Sequence, residues 1–276
     1  MLTFTMPEQI RSFCRTNQAT AYRAMFKAAS GTIKKLAKDP RHIGADLTGF
    51  TGVLHTCGRL LQYHPHIHFI VPGGGLSTDR SRWLPARNAF YLPIRDLAKI
   101  FRAKFNHEMA QDKLLGQIDP KVWSLAWNVN CQPVGNAEAS LKYLAPYVFR
   151  VAISNSRIVS FDESTVTFSF RKQGSRRARK ITLDVFEFIR RFLQHVLPSG
   201  FMKVRHYGFM SSNCRVPLNR LRLLILACLQ PLHFDLAKLV PKQEQIASPK
   251  PKCKDCGGHL RILYRIIPAL PGRSPT

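Results

Sequence analysis

The sequence predicts an α+β domain in the order β-α-β-β-α-β, the split βαβ or ferredoxin-like arrangement, with an antiparallel sheet, flanking helices and a C-terminal helical extension. Three observations carry this. Short runs near residues 2–6, 50–56, 66–71 and 123–129 read as strands, with the alternation of half-buried strands clearest at His66–Phe69 and Trp123–Val129. Two longer runs between them repeat at helical spacing. Only a short segment separates the second strand from the third, which favours antiparallel pairing.

Leu2 to Met6 is a short apolar strand stopped by Pro7. From Thr16 onward Tyr22, Met25, Phe26, Ala29, Ile33 and Leu36 recur on one helical face, and Asp39-Pro40 ends that helix. Phe50 to Thr56 reads as the second strand. His66 to Val71 is the third, closed by Pro72 and the run Gly73-Gly74-Gly75. Those glycines follow a strand without opening a helix, so a turn is preferred to a phosphate loop. Ile94, Leu97, Ala98, Phe101 and Phe105 mark a second helix, expected to end near Gly116, and Trp123, Leu125, Trp127 and Val129 alternate as a fourth strand. A helix from about Ala137 to Arg150 follows.

Val166, Phe168 and Phe170 share one face of a further strand. The basic stretch Arg171 to Lys180 then reads as a hairpin tip, with a return strand from Ile181. Asp184 and Glu187 resemble a capping box ahead of a helix striped by Val185, Phe188, Ile189, Phe192, Leu193 and Val196, with Gly200 at its end. Leu218 to Leu229 is another apolar helical run, and beyond Pro241 the chain turns rich in Lys and Pro. These features divide the chain into a core with its following helix (1–160), a basic hairpin with a helical extension (161–240) and a basic tail (241–276).

Charge is the outlier of the composition. The 276 residues carry 42 Lys and Arg against 16 Asp and Glu, a net charge of +26, beside 45% hydrophobic residues that can build a core. Such a field favours polyanions, above all nucleic acid. No run approaches the 18 apolar residues of a membrane helix, no secretory leader opens the chain, and no small-molecule substrate is evident. Seven scattered cysteines suggest a reducing cytoplasm rather than a disulfide framework.

The chemistry centres on His64-Pro65-His66-Ile67-His68. Alternation along a strand puts His66 and His68 on one face and Ile67 and Phe69 on the other. Two imidazoles on one pleat make a metal clamp, against the competing reading of a solvated face with a fortuitous histidine cluster. His64 joins them only if the strand runs through Pro65, a residue suited to a strand's first position or an edge. Tyr143 and Tyr147, four residues apart, share a helical face. Packing is the ordinary role of such a pair. Next to a metal clamp that polarises a phosphate oxygen, a tyrosine oxygen can attack phosphorus, and two tyrosines permit two consecutive exchanges.

Several spaced motifs then carry a resemblance. Leu54-His55-Thr56, Tyr63 to His68, Pro72 to Ser77, Leu141-Lys142-Tyr143-Leu144-Ala145-Pro146-Tyr147, Phe188 to Leu193, His195 to Pro198 and Arg205 to Gly208 follow in the order found in the two-tyrosine HUH-endonuclease transposases of rolling-circle insertion sequences. The resemblance covers about residues 2 to 230. It implies an HUH endonuclease-type fold and metal-dependent cleavage and rejoining of single-stranded DNA or element-end hairpins, through a 5′-phosphotyrosine and a free 3′-hydroxyl. His66 and His68 would hold Mg²⁺ or Mn²⁺, with His55 as third ligand ahead of His64, and Tyr143 and Tyr147 would be the nucleophiles. Arg171, Lys172, Arg176, Arg177, Arg179 and Lys180 are the expected DNA-binding cations.

The sequence departs from the family in three places. Pro146 stands between the tyrosines, where a basic residue is usual. The chain starts at the first strand, ahead of which the family usually carries a cysteine-rich zinc module. Cys253 and Cys256, with His259 near, form half of a zinc site. A shortened, catalytically decayed copy that only binds DNA is therefore the alternative function. A zinc hydrolase with an HxH strand would need repeated strand-helix units that this chain lacks.

Overall fold

Leu2–Thr5 forms the first strand (β1), burying Leu2 and Phe4 completely. A short helix, Arg11–Thr16 (α1), leads into Gln18–Lys38 (α2), whose buried face holds the helical stripe read from the sequence. Phe50–Cys57 (β2) and Tyr63–Ile70 (β3) pair antiparallel, and Gly74–Leu76 (β4) pairs with Trp83–Pro85 (β5). Next come Ile94–Gln111 (α3) and Asn128–Cys131 (β6). Ile158–Phe161 (β7), Thr165–Arg171 (β8) and Ala178–Asp184 (β9) make a three-stranded sheet that leads into helix Val185–Leu193 (α4). Val204–Tyr207 (β10) and helix Leu218–Leu229 (α5) follow. This computed structural model describes residues 1–86, 91–135, 138, 152–171, 174–175 and 177–229, all within the unit Met1–Leu229.

The result is a mixed α+β architecture around a five-stranded antiparallel sheet of order β10-β2-β3-β1-β6. One face of the sheet and the inner faces of α2 and α3 form the main core. Phe69 on β3 sits at its centre, edge-on to Phe4 at 5.8 Å and to Phe50 at 5.5 Å. Gly52 makes this possible, since a Cβ there would fall 2.4 Å from the Phe69 ring. A second cluster of Cys57, Leu61, Ala152 and Phe168 joins the β2–β3 turn to the three-stranded sheet.

Pro65 lies within the central strand β3, a position that ordinarily excludes proline. The pairing shows why it fits. The register with β2 shifts between His55 and Cys57, so Pro65 falls at a bulge where no ladder donor is required, and its carbonyl accepts from Met6 N at 3.1 Å. The strand therefore begins at Tyr63, three residues ahead of the sequence expectation.

Other boundaries also move, each for a local reason. Helix α3 stops at Gln111 rather than near Gly116, because Lys113 takes a left-handed φ of 56° and closes a Schellman cap. There Leu114 N donates to Met109 O and Lys113 N to Ala110 O. Trp123 lies in a 3₁₀ turn, Pro120–Ser124, capped by Asp119, so β6 starts only at Asn128. Asp184 caps α4 through Phe186 N and Glu187 N, as the capping box requires. Glu187 instead pairs with Arg190 and Arg191, and α4 ends at Leu193, well before Gly200. The glycine run, expected as a turn, instead supplies Gly74 and Gly75 to strand β4, where a Cβ at Gly75 would lie 2.6 Å from Ala45 Cβ.

Only part of the α4 stripe finds a partner. Phe188 and Phe192 pack on the second cluster, whereas Ile189, Leu193 and Val196 are 45%, 58% and 50% exposed. No helix among the described residues is long and apolar enough to cross a membrane.

Candidate metal centre on the polar sheet face

With Ile67 and Phe69 turned into the core, His66 and His68 occupy the opposite face of β3. The register sets His55 of β2 directly across from His66, and Thr3 of β1 across from His68. One nitrogen from each of His55, His66 and His68 falls within 4.8 Å of the others. His55 Nδ1 and His66 Nε2 are 3.2 Å apart, close to the spacing of two nitrogens on one ion with bonds of about 2 Å.

The surrounding contacts orient the rings. His66 Nδ1–H donates to the His64 carbonyl at 2.6 Å, which leaves the Nε2 lone pair facing His55. His68 Nδ1 lies 3.1 Å from Thr3 Oγ1, so its Nε2 is the ligand nitrogen. The His64 ring is 5.2 Å from that of His66, and only the His64 carbonyl serves the triad. Burial pushes His55 down to about 3 and His68 to about 4, and holds His66 well below the usual histidine range. The neighbouring imidazoles and Lys203 depress His55 further. Three neutral imidazoles are the form a metal ion needs, and this buried triad can hold one.

These shifts set an acid dependence. An unfolded histidine titrates near 6.5, so below that pH the unfolded chain binds protons that the folded triad refuses. The triad's contribution is complete above about pH 6.5 and is lost as pH falls towards 4 and 3, at up to about 1.4 kcal/mol per pH unit for each group. In chelator, the thermal midpoint of wild type should fall more steeply from pH 7 to 4 than that of His55→Asn/His66→Asn/His68→Asn. Parallel curves would show that the imidazoles are not held neutral.

Two nearby groups were given no role in the site by the sequence reading, although His195 stands in one of the motifs that carry the resemblance. His195, buried just past α4, accepts from the Thr56 hydroxyl at 3.1 Å and donates to the Leu61 carbonyl at 3.1 Å, pinning the β2–β3 turn. Lys203 is held beside β2 by its carbonyl, which accepts from Leu54 N at 2.9 Å, and brings a cation close to His55. Both arrive through pairing distant in sequence, β10 with β2 in the case of Lys203.

A model of the family described as "Putative transposase" (Y2_Tnp) matches residues 49–217, from the start of β2 to just ahead of α5. The chain belongs to this transposase family. The chain is 36% identical over 238 residues to "Putative transposase y4qJ" of Sinorhizobium fredii, an overlap of 78% of this chain and 58% of that one. It is 24% identical over 230 residues to the "Transposase for insertion sequence element IS801" of Pseudomonas savastanoi pv. phaseolicola, covering 76% and 54%. The chain thus spans little more than half the length of these curated relatives. No solved structure matches.

In this chain the described part of the basic run does not form a single strip. Arg171 closes the β8–β9 ladder opposite Ala178, and Arg179 and Lys180 lie within β9, so they point to opposite faces. Arg171, Arg177, Arg179 and Lys180 are all exposed. Lys172 and Arg176 lie outside the described residues, as do Tyr143, Pro146, Tyr147, Cys253 and Cys256.

Proposed function

We propose that this chain cleaves and rejoins single-stranded DNA, including strands at element-end hairpins, with a divalent metal and a tyrosine nucleophile, in rolling-circle-type transposition. The observation that carries the reading is the convergence of His55, His66 and His68 on one face of adjacent central strands. Family membership and the net charge of +26 support a DNA substrate. The order β6-β1-β3-β2, with α2 and α3 as crossovers on one face, supports the HUH ferredoxin-like arrangement. In this reading residues 1–160 are the nuclease core, 161–240 the DNA-binding extension and 241–276 a tail in which Cys253 and Cys256 offer half of a zinc site.

His55, His66 and His68 would be the ligands, with Thr3 and the His64 carbonyl holding the rings. A bound divalent ion supplies Lewis-acid polarisation of a phosphate oxygen there. An all-imidazole set suits Mn²⁺ better than Mg²⁺, whose chemistry favours oxygen ligands. The phenol oxygen of Tyr143 or Tyr147 forms the bond to phosphorus as the bond to the 3′ oxygen breaks. The phenol proton leaves to solvent or base, and the departing oxygen becomes the 3′-hydroxyl. Arg171, Lys172, Arg176, Arg177, Arg179 and Lys180 contact phosphates and position the strand without reading its bases.

The test is incubation of the full chain with a labelled single strand from an element end in Mn²⁺, followed by denaturing electrophoresis. A covalent adduct with an equal yield of free 3′ ends is the expected result. DNA binding with no adduct under any divalent metal would favour the decayed, binding-only copy, the reading that Pro146 between the tyrosines supports.

A further inference from the structure

The outer faces of α2 and α3 form a groove that DNA cleavage leaves unused. Their inner faces are buried through Met25, Ile33, Leu97 and Phe101 against the sheet, so the groove lies on the opposite side of the sheet from the histidines. It encloses about 640 Å³ and is lined by Lys27, Lys35, Lys99, Lys104, His107 and Glu108. A second cavity of about 470 Å³ adjoins it at Lys35 and Lys99 and runs to Asp39 and Arg41, which pair with each other at 2.7 Å. The groove is therefore elongated, and its lysines and arginine outnumber its carboxylates, Glu108, Asp39 and Asp96.

Few carboxylates balance that charge. Glu108 pairs with Lys27 at 2.7 Å, and among the described residues no carboxylate lies in ion-pair range of Lys35, Lys99 or Lys104. Lys27, Gly31 and Lys35 follow one helical face over about 12 Å. Gly31 keeps the floor low, since a Cβ there would touch the Lys104 side chain at 3.4 Å. Ammonium groups gathered on two facing helices repel one another unless a polyanion lies between them. Lysines are mobile point charges without a fixed fork, which suits a repeating phosphate backbone better than a small ligand that must be held in one pose.

We propose that this groove binds a second stretch of DNA through its phosphodiester backbone, separate from the strand presented to the histidines. Strand transfer needs two DNA segments on one protein, and the two faces of this sheet would hold one each. The groove does not depend on the cleavage reading.

The test compares the full wild-type chain with Lys35→Gln/Lys99→Gln/Lys104→Gln, titrating a labelled duplex and a labelled single strand across a salt series. Loss of three phosphate contacts should flatten the log-affinity against log-salt slope by about 2.7 for a duplex or about 2.1 for a single strand. The arm that changes identifies which form lies in the groove. Lys→Arg at the same positions should keep the slope, and an unchanged unfolding midpoint confirms the fold. A single strand of about eight nucleotides, within the footprint of one binding face, should still form the histidine-dependent adduct at the wild-type rate. Unchanged slopes in both arms would overturn the proposal. A matching loss of short-strand adduct would overturn the separateness of the two faces. Absence of adduct in both proteins, with the slope change intact, counts against cleavage alone.

Discussion

Replacing His66 or His68 with alanine is expected to abolish the covalent adduct and to weaken Mn²⁺ binding by more than about a hundredfold. Groups that only hydrogen-bond and orient a metal-binding histidine usually contribute 10- to 100-fold to metal affinity, and a direct ligand contributes more. Both side chains face away from the apolar core that α2 and α3 cover, so the sheet should survive the change. Thr3→Val isolates the orienting contact, because it removes the hydroxyl 3.1 Å from His68 Nδ1 while nearly conserving volume. An intermediate loss, about 10- to 100-fold in metal affinity, is expected there. Mn²⁺ titration by calorimetry, with circular dichroism as the folding control, reads all three variants. Undiminished adduct from His66→Ala or His68→Ala, or from wild type in excess chelator, would remove the metal from the reaction.

The second large effect concerns the tyrosines. Tyr143→Phe is expected to reduce first-strand cleavage by more than about a thousandfold, the scale on which loss of a nucleophile acts, while Tyr147→Phe retains it. A proline inside a helix removes a backbone donor and crowds the carbonyl four residues back. In the helix that the sequence predicts there, the carbonyl four residues before Pro146 belongs to Lys142, and the turn between them would have to aim Tyr147. A misplacement of about 1 Å can lower a rate on the order of a hundredfold when attack needs near-contact geometry. The histidines sit on a central strand and cannot follow a displaced phenol. Pro146→Arg should therefore improve the second exchange. A dead Tyr147→Phe beside an active Tyr143→Phe would falsify the assignment.

Much of the sheet was legible because its strands are short and several of them alternate apolar with polar residues. His66, Ile67, His68 and Phe69 announced both faces of β3, and His55 was visible as the histidine nearest in sequence on an adjoining strand. The contacts that make a centre of these histidines were not legible. Thr3 reaches His68 from 65 residues away and His195 reaches Thr56 from 139, and no local pattern encodes a register between distant strands. Pro65 seemed to delay β3 because proline rules describe regular ladders, whereas here a bulge absorbs it. The α4 stripe marked an apolar face but could not say how much of it would be covered, and Ile189 and Leu193 remain exposed. Trp123 obeyed the alternation, yet the Asp119-Pro120 cap turned it into a 3₁₀ segment.

The three candidate ligand histidines share one hairpin, and this bears on the order of folding. His55, His66 and His68 all come from β2 and β3, joined by the turn that Gly58 N closes onto the Gln62 carbonyl at 2.8 Å. Hairpins form in about 1–10 μs, whereas partners from β1 and β10 must close far longer loops. A hairpin that closed on that timescale would bring the nitrogens together ahead of Thr3 and Lys203, and a metal captured then would act as a nucleus for the sheet. Inheritance follows the same logic. Inserting one residue in the turn would slip the register and carry His55 to the buried side, so turn length is the trait on which this centre depends.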